Sequence, residues 1–209
     1  MRILAIGAHY DDVELGCGGT IAKHVRNGDQ VYVFVATLSG FSNHSGKIIR
    51  GNEVAKREGE KAMKVLGVKK LFNGNFPTLQ IKFDDNLNIK ILKIVEKYKI
   101  QQVYTHWDGD VHHDHQVVSK SSQHACRHVP RLLMYRSNWY HSSLNFHENY
   151  YVDVSNTWKI KKKAILEHKS EMRRTKEKWI KFFYNEAQNA GQRIGVKLAE
   201  VFQIVKFLD

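Results

Sequence analysis

The sequence contains few cysteines and no long apolar run. Among its 209 residues there are two cysteines, Cys17 and Cys126. They lie far apart and lack the spacing of paired metal ligands, so the sequence predicts neither a disulfide framework nor a cysteine-based zinc site. We expect both to be small buried residues. A run of about eighteen apolar residues is also lacking, which excludes a predicted transmembrane helix.

We expect no secretory signal segment, because a strand pattern begins directly at Arg2. We therefore expect a cytoplasmic protein. The length of 209 residues and the hydrophobic content of 42% suffice for one substantial core. The sequence predicts a single domain over residues 1–209 and leaves open whether the protein forms a homo-oligomer.

Acidic residues are fewer than basic ones, since 21 Asp and Glu face 33 Lys and Arg and leave a net charge of +12. Such a charge attracts anionic partners. Many of the basic residues recur at helical spacing between Lys159 and Lys181, which indicates a solvated helix face, with attraction of a phosphorylated substrate as the alternative. No nucleic-acid-binding motif accompanies the charge, so nucleic acid is not an expected partner.

Strand-like and helix-like segments alternate along the chain, which indicates an α/β protein. We expect a Rossmann-like three-layer sandwich, with a mostly parallel central sheet, helices on both faces and a mixed C-terminal portion. The predicted strands cover residues 2–7, 30–37, 68–72, 100–105, 131–135, 149–154 and 201–208. The predicted helices cover residues 16–26, 51–66, 86–97, 116–126, 157–167 and 171–190. Residues 38–49 are predicted as a polar loop and residues 73–77 as a turn.

Polar side chains follow the first predicted strand directly, namely His9, Asp11 and Asp12. In open α/β sheets the chemistry lies in the loops beyond the carboxyl ends of the strands. His9 and Asp12 can converge on one metal ion, and Zn²⁺ accepts this mixture of nitrogen and oxygen ligands. Asp11 is then free to handle protons, but a catalytic zinc needs about three protein ligands.

A second polar cluster follows the fourth predicted strand and contains four histidines and three aspartates within residues 106–115. Because both clusters end strands of one sheet, we expect them to meet at the same edge and to form a metal site. The third ligand is best sought in His115, with Asp114 orienting an imidazole. His112 then lies near the metal without having to bind it.

Two motifs match a pair of known signatures in the same order. Residues 9–14, His-Tyr-Asp-Asp-Val-Glu, with the glycine-rich residues 16–20, resemble His-Pro-Asp-Asp-x-Glu, and residues 112–115, His-His-Asp-His, resemble His-Pro-Asp-His. These are the signatures of the LmbE-like (PIG-L) family of zinc-dependent N-acetylglucosaminyl deacetylases. Weaker similarities extend the resemblance over essentially the whole chain, in residues 62–68, 151–154, 164–171 and 191–202.

The resemblance implies a ligand set and a reaction. It implies that His9, Asp12 and His115 bind Zn²⁺, that Asp11 is the general base, and that His112, as a protonated imidazole, stabilises the tetrahedral intermediate. The implied activity is hydrolytic removal of the acetyl group from an N-acetylhexosamine, whether free, nucleotide-linked or glycolipid-linked. The positive net charge would favour an anionic form of that substrate.

Several positions depart from the family pattern. Tyr10 and His113 replace prolines, so both turns lose a fixed φ angle but keep every implied ligand. Glu171 replaces a glutamine. The family's substrate-binding arginine is expected at Ala55; of the arginines nearby, we name Arg50 as the candidate, while Arg57 fits an exposed helix face.

Other histidines and aromatic residues have less definite roles. Trp139, Tyr140, His141, Phe146 and His147 either lie over the pocket, where aromatic faces stack on sugar rings, or form a structural lid. The remaining single histidines are expected at surface or structural positions, namely His24, His124, His128 and His168.

Two other functions stay open. A nucleotide binder is suggested by Gly16, Gly18 and Gly19 after a strand, but the full Gly-x-Gly-x-x-Gly spacing and the acidic residue about twenty positions later are missing. The second is a module that retains the metal without catalytic activity and binds an acidic partner through its basic helices. The intact Asp11 disfavours it, because a structural metal site has no use for an unligated carboxylate.

Overall fold

The computed structural model describes residues 1–208, which form nine strands and seven helices. The strands are β1 (Arg2–Gly7), β2 (Gln30–Thr37), β3 (Phe41–Ser42), β4 (Ile48–Arg50), β5 (Lys70–Phe76), β6 (Gln102–His106), β7 (Arg131–Tyr135), β8 (Tyr150–Asp153) and β9 (Ala199–Phe207). The helices are α1 (Asp12–Arg26), α2 (Asn52–Leu66), α3 (Asp85–Lys97), α4 (His113–Ala125), α5 (Trp158–Leu166), α6 (Lys169–Thr175) and α7 (Lys178–Arg193).

Seven strands form one sheet in the order β5-β2-β1-β6-β7-β9-β8. The first five strands in this order are parallel, while β9 pairs antiparallel with both β7 and β8. The chain winds from β1 through β2 to β5 on one side, and then returns to place β6 and β7 on the other side. A topological switch point therefore lies between β1 and β6, where open α/β sheets bind their ligands.

Helices cover both faces of the sheet. They are needed on both sides because successive apolar side chains of β1 point to opposite faces. Ile3 and Ala5 pack in a core with α1, α2 and α5, whereas Leu4 and Ile6 pack in a second core with α3 and α4. Each fully buried Ile or Leu contributes about 1.5–3 kcal/mol relative to an exposed one. The predicted α/β fold, with a mostly parallel sheet and a mixed C-terminal portion, is confirmed, and both cysteines are buried as expected.

Helix α1 begins at Asp12, four residues before the predicted start, and bends at Cys17, whose φ of −142° is not helical. The bend frees backbone groups on both sides. Lys161 Nζ donates to the Leu15 carbonyl at 2.8 Å, and the Glu200 carboxylate accepts from backbone N–H groups just after the bend. Lys161 and Glu200 are 2.6 Å apart and almost fully buried. This ion pair replaces the helical hydrogen bonds that the bend removes.

Helix α4 also begins three residues before its predicted start, at His113. Three further predictions differ from the structure. The loop at residues 38–49 contains the hairpin β3-β4. Residues 73–77 have the composition of a turn, but hydrogen-bonded pairing with β2 outweighs this propensity, and β5 continues to Phe76. The helix predicted over residues 171–190 is two helices, because Lys176 and Glu177 both have positive φ, at 51° and 57°.

The lysines and arginines between Lys159 and Lys181 are exposed, apart from Lys161, which is buried. Within residues 1–208 no helix is both long enough and apolar enough to cross a bilayer.

Candidate metal centre and active site

The two predicted polar clusters meet at the switch point of the sheet. His9, Asp11 and Asp12 lie between β1 and α1, and Asp12 opens that helix. His112 caps the start of α4, since its Nδ1 accepts the backbone N–H of Asp114 at 3.2 Å. His115 follows in the first turn of the same helix. The carboxyl ends of β1 and β6 thus bring both motifs to one place.

His9, Asp12 and His115 converge. His9 Nδ1 lies 3.4 Å from Asp12 Oδ2 and 3.3 Å from His115 Nε2, and His115 Nε2 lies 3.2 Å from Asp12 Oδ1. Three ligand atoms bound tetrahedrally at zinc distances of about 2.0–2.1 Å stand about 3.3 Å apart. The two imidazole nitrogens have this spacing, and the Asp12 carboxylate approaches each of them through a different oxygen, so the three side chains offer nitrogen and oxygen donors for one small divalent cation.

Two carboxylates lie beside the imidazoles of this set. His9 Nε2 lies 2.9 Å from Asp114 Oδ2, and His115 Nδ1 lies 3.0 Å from Asp110 Oδ2. The hydrogen bond from His9 Nε2–H to Asp114 leaves Nδ1 with a free lone pair, which is the tautomer that binds metal. His115 Nδ1 lies close to Asp110 without forming a hydrogen bond. Asp114 was expected to orient an imidazole, whereas the sequence analysis assigned no role to Asp110.

The electrostatics of the cluster favour a cation at its centre. Burial disfavours a charge on His9, but Asp114 and Asp12 outweigh it and raise the pKa of His9 to about 9. The pKa of His115 rises to about 10 against the same penalty because of Asp12 and Asp110. Burial would raise the pKa of Asp12, yet His115 and His106 hold it well below its usual value.

Two groups of three side chains have donor atoms that all lie within 4.8 Å of one another, namely His9, His112 and His115, and Asp12, His106 and His115. The predicted set His9, Asp12 and His115 combines members of both groups. His106 Nε2 lies 3.1 Å from Asp12 Oδ2, but it also accepts the backbone N–H of Ala8 at 3.0 Å. That hydrogen bond occupies its lone pair. Burial and the neighbouring His115 lower the pKa of His106 to about 4. A neutral imidazole then carries its proton on Nδ1, which lies 3.5 Å from the Ser137 hydroxyl that donates to Asp12 Oδ1.

Asp11 lies beside the donor set with a strained backbone. Its φ is 147°, a value that costs energy in a residue with a side chain and that clusters at functional sites. Arg50 Nη1 donates to Asp11 Oδ2 at 2.7 Å, and the other carboxylate oxygen has no hydrogen-bond partner among residues 1–208. Burial raises the pKa of Asp11 to about 6, although Arg50 opposes the rise.

Arg50 is itself buried in a polar network. Nη1 also donates to the Tyr10 carbonyl at 3.1 Å, and Nη2 lies 3.4 Å from Glu58 Oε2 and 3.0 Å from His168 Nδ1. Behind it, His168 Nε2 lies 2.7 Å from Glu14 Oε1. Substrate binding by Arg50 stays a prediction, and the contacts show that it holds Asp11.

The wider network contains residues that sequence reasoning missed. Glu14 stands in the first motif and offered a signal, and His168 was assigned only a surface or structural position. Glu58 lies on the buried face of α2 among charged neighbours, where nothing in the sequence distinguishes it from an exposed glutamate. Ser137 was also missed, and its hydroxyl donates to Asp12 Oδ1 at 2.9 Å.

His112 borders the same centre without a carboxylate partner. Its ring centroid lies 4.7 Å from that of His9 and 4.6 Å from that of His115. Burial and these two neighbouring imidazoles lower the pKa of His112 to about 4. Because Nδ1 accepts a backbone N–H, the single proton of the neutral ring resides on Nε2. A protonated His112 that stabilises the tetrahedral intermediate stays a prediction.

The centre lies in a cavity of about 320 Å³. Trp139 and Tyr140 line it, together with Asp11 and His112, whereas His141 and His147 are exposed outside this lining. Trp139 and Tyr140 therefore border the pocket, which is one of the two alternatives predicted for this segment. His141 and His147 do not border it.

The fold and this centre define a class of protein that known sequences share. The profile of the GlcNAc-PI de-N-acetylase (PIG-L) family matches residues 4–126. The uncharacterized deacetylase YaiS of Escherichia coli K12 is 34% identical over 177 residues, which cover 80% of this chain and 90% of the relative. The chain therefore belongs to the GlcNAc-PI de-N-acetylase family and is a deacetylase by class, as the resemblance of its motifs predicted.

More distant relatives match over almost the whole chain. Diacetylchitobiose deacetylase of Thermococcus kodakarensis is 25% identical over 224 residues, covering 98% of this chain and 83% of the relative. The solved structure of N,N'-diacetylchitobiose deacetylase from Pyrococcus horikoshii, complexed with its inhibitor MPG, has a TM-score of 0.83 and 24% identity. It covers 98% of this chain and 83% of that chain, and the likeness confirms the fold.

Proposed function

We propose that this protein is a zinc-dependent hydrolase that removes the N-acetyl group from an N-acetylhexosamine-containing substrate. His9, Asp12 and His115 would hold the metal, and Asp11 would be the general base. The observation that carries the proposal is a carboxylate oxygen of Asp11 that has no hydrogen-bond partner among residues 1–208, in a residue that lines the cavity beside His9, Asp12 and His115. A structural metal site has no use for such a group.

A bound Zn²⁺ supplies a Lewis acid that polarises the amide carbonyl and makes water nucleophilic near neutral pH. Asp11 takes a proton from the attacking water, and Arg50 holds its Oδ2 so that the other oxygen stays available. His112 donates through Nε2–H to the oxygen of the amide, where negative charge develops. Asp11 then passes its proton to the amine nitrogen as the C–N bond breaks. The products are acetate and the free amino sugar.

The ligand assignment can be tested against the alternative grouping. We expect metal analysis of purified protein to give about one zinc per chain, which His9→Ala and Asp12→Ala should abolish. His106→Asn is the matched control, because its ring accepts a backbone N–H, and this variant should retain zinc. Undiminished zinc in the His9 and Asp12 variants, or its loss only in the His106 variant, would contradict the assignment.

The reaction is tested by acetate release. The screen should cover free N-acetylglucosamine, its nucleotide-linked forms and its neutral glycosides, each with metal-loaded protein and with the Asp12→Ala variant as the blank. We expect release from at least one acetamido sugar and none from the blank. Absence of release from every acetamido sugar would rule out the proposed substrate class.

The glycine-rich turn does not favour nucleotide binding. A Cβ on Gly16 would stand 2.1 Å from the Tyr135 ring, and one on Gly19 would stand 2.9 Å from Val154. These glycines therefore allow close helix packing. The N–H of Gly19 is also committed to Glu200, so it is not free for a phosphate.

A further inference from the structure

A second cavity lies beside the start of helix α1. It has a volume of about 100 Å³, and we call it the side cavity. Residues of α1, α5, α7 and β9 and of the segment after β7 line it, among them Leu15, Arg136, Asn138, Lys161, Phe183 and Ala187. Leu15 and Asn138 also line the cavity of the metal centre. The two cavities therefore share part of a wall.

Lys161 presents a buried cation to the side cavity. The residue is 2% exposed, and its Nζ donates to the Leu15 carbonyl at 2.8 Å and to Glu200 Oε1 at 2.6 Å. An ammonium group has three N–H donors, and the third has no hydrogen-bond partner among residues 1–208. The ring centres of Trp158 and Phe183 lie 5.4 and 5.7 Å from Nζ, and neither ring supplies a lone pair. A ligand oxygen in the cavity can accept from this donor.

Arg136 contributes a second cation to the lining. The residue is half-buried, and its guanidinium lies 5.9 Å from the centre of the Trp107 ring. Within residues 1–208 it forms no ion pair. A guanidinium stays charged and presents paired N–H donors, which match the two oxygens of a carboxylate. Arg136 and the spare donor of Lys161 together favour a ligand with negatively charged oxygens.

The carboxylates of the lining leave these donors available. Glu200 already accepts from Lys161 and from two backbone N–H groups, and Glu148 pairs with Arg193. Glu186 has no ion pair in the described part of the chain, but it is exposed to solvent, which weakens its repulsion of an anion. The lining therefore holds an uncommitted positive charge, while its uncommitted negative charge lies at the exposed edge.

The size of the side cavity restricts its ligand. At about 30 Å³ per water molecule, its volume corresponds to about three waters. Acetate is of this size, since its oxygens can accept from Arg136 and Lys161 while its methyl group packs against Phe183 and Ala187. We propose that the side cavity binds a small carboxylate and that the acetate of the proposed reaction leaves through it. The exit role rests on the proposed function.

The shared wall contains one fixed and one apolar side chain. Asn138 is fixed, because its Nδ2 donates to both carboxylate oxygens of Asp110, at 2.6 and 2.8 Å. Leu15 has no polar contact through its side chain, so a change of its rotamer opens the wall. Acetate can then leave while the larger product, the amino sugar, still occupies the cavity of the metal centre.

Acetate titration of zinc-free wild-type protein tests the binding site apart from the reaction, because no metal is present to hold the anion. Isotope-labelled acetate, followed by NMR, should bind saturably, and neutral acetamide, which has the same shape, about tenfold more weakly. Arg136→Met should weaken acetate binding about tenfold. Arg127→Met is the matched control, because that arginine is exposed outside the lining, and it should keep the affinity.

Filling the side cavity tests the exit role in the zinc-loaded enzyme. Acetate leaves after the irreversible hydrolysis, so Ala187→Leu should lower kcat about fivefold or more and leave kcat/KM unchanged. Ala190→Leu, three residues further along α7, is the second filling variant should the first not fold. Asn185→Leu, exposed on the same helix outside the lining, is the matched control. General damage to the active site would lower kcat/KM as well.

The outcomes separate the side cavity from the proposed reaction. Equal binding of acetate and acetamide, or an acetate affinity unchanged by Arg136→Met, would overturn the binding site. An unchanged kcat in the filled variants, or an equal fall of kcat and kcat/KM, would overturn the exit role. Acetate binding that depends on Arg136, in a protein that hydrolyses no acetamido sugar, contradicts the proposed function with its exit role and leaves the binding site standing.

Discussion

Arg50 is buried between two carboxylates, and this placement defines a role that its position in the sequence did not reveal. Its guanidinium contacts Asp11 and Glu58, and its Nη2 lies 3.0 Å from His168 Nδ1. A planar fork with several donors can hold such partners together, which a lysine cannot do. Arg50 is therefore a positioning residue for Asp11, whatever contact it makes with a substrate.

Removing the charge of Arg50 should destabilise the protein. We expect Arg50→Met to lower the free energy of unfolding by about 3–5 kcal/mol, because Asp11 and Glu58 would remain buried without a cation. Denaturant unfolding measures the change. Arg57→Met, on the exposed face of the same region, should change stability by less than about 0.5 kcal/mol. Equal effects of the two substitutions would contradict the buried network.

Residue types in a motif proved more informative than single residues. The aspartates and histidines of residues 9–12 and 112–115 could be predicted to meet, because their chemistry is rare and both groups follow strands. Glu58 and Asp110 could not, since their importance arises from burial and from partners distant in sequence. Arg50 could be named as a candidate only because it lies near Ala55 in the sequence, where the family pattern has an arginine.

At the scale of elements, helix α2 ends as its sequence predicts. Gly67 has φ 76° and closes the helix in the left-handed conformation. A Cβ there would stand 2.8 Å from Val25, so a side chain meets both strain and a clash. Gly28, after α1, has φ 83° but open space around it. A side chain at Gly28 would therefore meet backbone strain alone, whereas one at Gly67 would meet both strain and a steric clash.

We expect Gly28→Ala to lower the free energy of unfolding by about 1 kcal/mol, from backbone strain alone. Gly67→Ala should cost about 1 kcal/mol more, because Val25 must shift. Chemical denaturation of both variants gives the comparison. A smaller loss for Gly67→Ala than for Gly28→Ala would show that the packing against Val25 is unimportant.

The bend of α1 depends on residues from two later elements. Lys161 on α5 and Glu200 on β9 satisfy the backbone on either side of Cys17, and this sets the direction of the first turn, which carries Asp12. Helical periodicity alone predicted the second part of α1 and missed the first. The missing turn is held by contacts between residues more than a hundred positions apart.

Breaking this pair should be costly. We expect Lys161→Met to reduce the free energy of unfolding by about 3 kcal/mol or more, because Glu200 and the Leu15 carbonyl lose their partner. Lys162→Met, exposed on the same helix, is the control. Combining Lys161→Met with Glu200→Gln should cost less than the sum of the single changes, and strict additivity in a double-mutant cycle would contradict the coupling.

At the scale of the whole molecule, the strand order explains why the centre lies where it does. The chain reverses direction across the sheet between β1 and β6, and both motifs follow those two strands. The alternation of elements was enough to predict the α/β class and the shared sheet edge. The hairpin β3-β4 and the division between α6 and α7 could not be predicted, because tertiary pairing and positive φ angles override local propensity there.

Charge at this scale describes the surface of the molecule. The net charge of +12 resides largely on exposed residues, and nearly all of the basic residues between Lys159 and Lys181 face solvent. The cavity itself is lined by paired arginines and aromatic rings. Composition therefore describes the surface of the molecule, and the chemistry of the pocket has to be derived from its own residues.

In the proposed reaction a metal held by His9, Asp12 and His115 works with an unligated Asp11. The most direct measurement is the zinc content and the acetate release of Asp11→Asn protein, on an acetamido sugar that the wild type hydrolyses. We predict about one zinc per chain, as in the wild type, with the rate lowered by about 10²-fold or more. Wild-type activity in a zinc-loaded Asp11→Asn protein would contradict the claim.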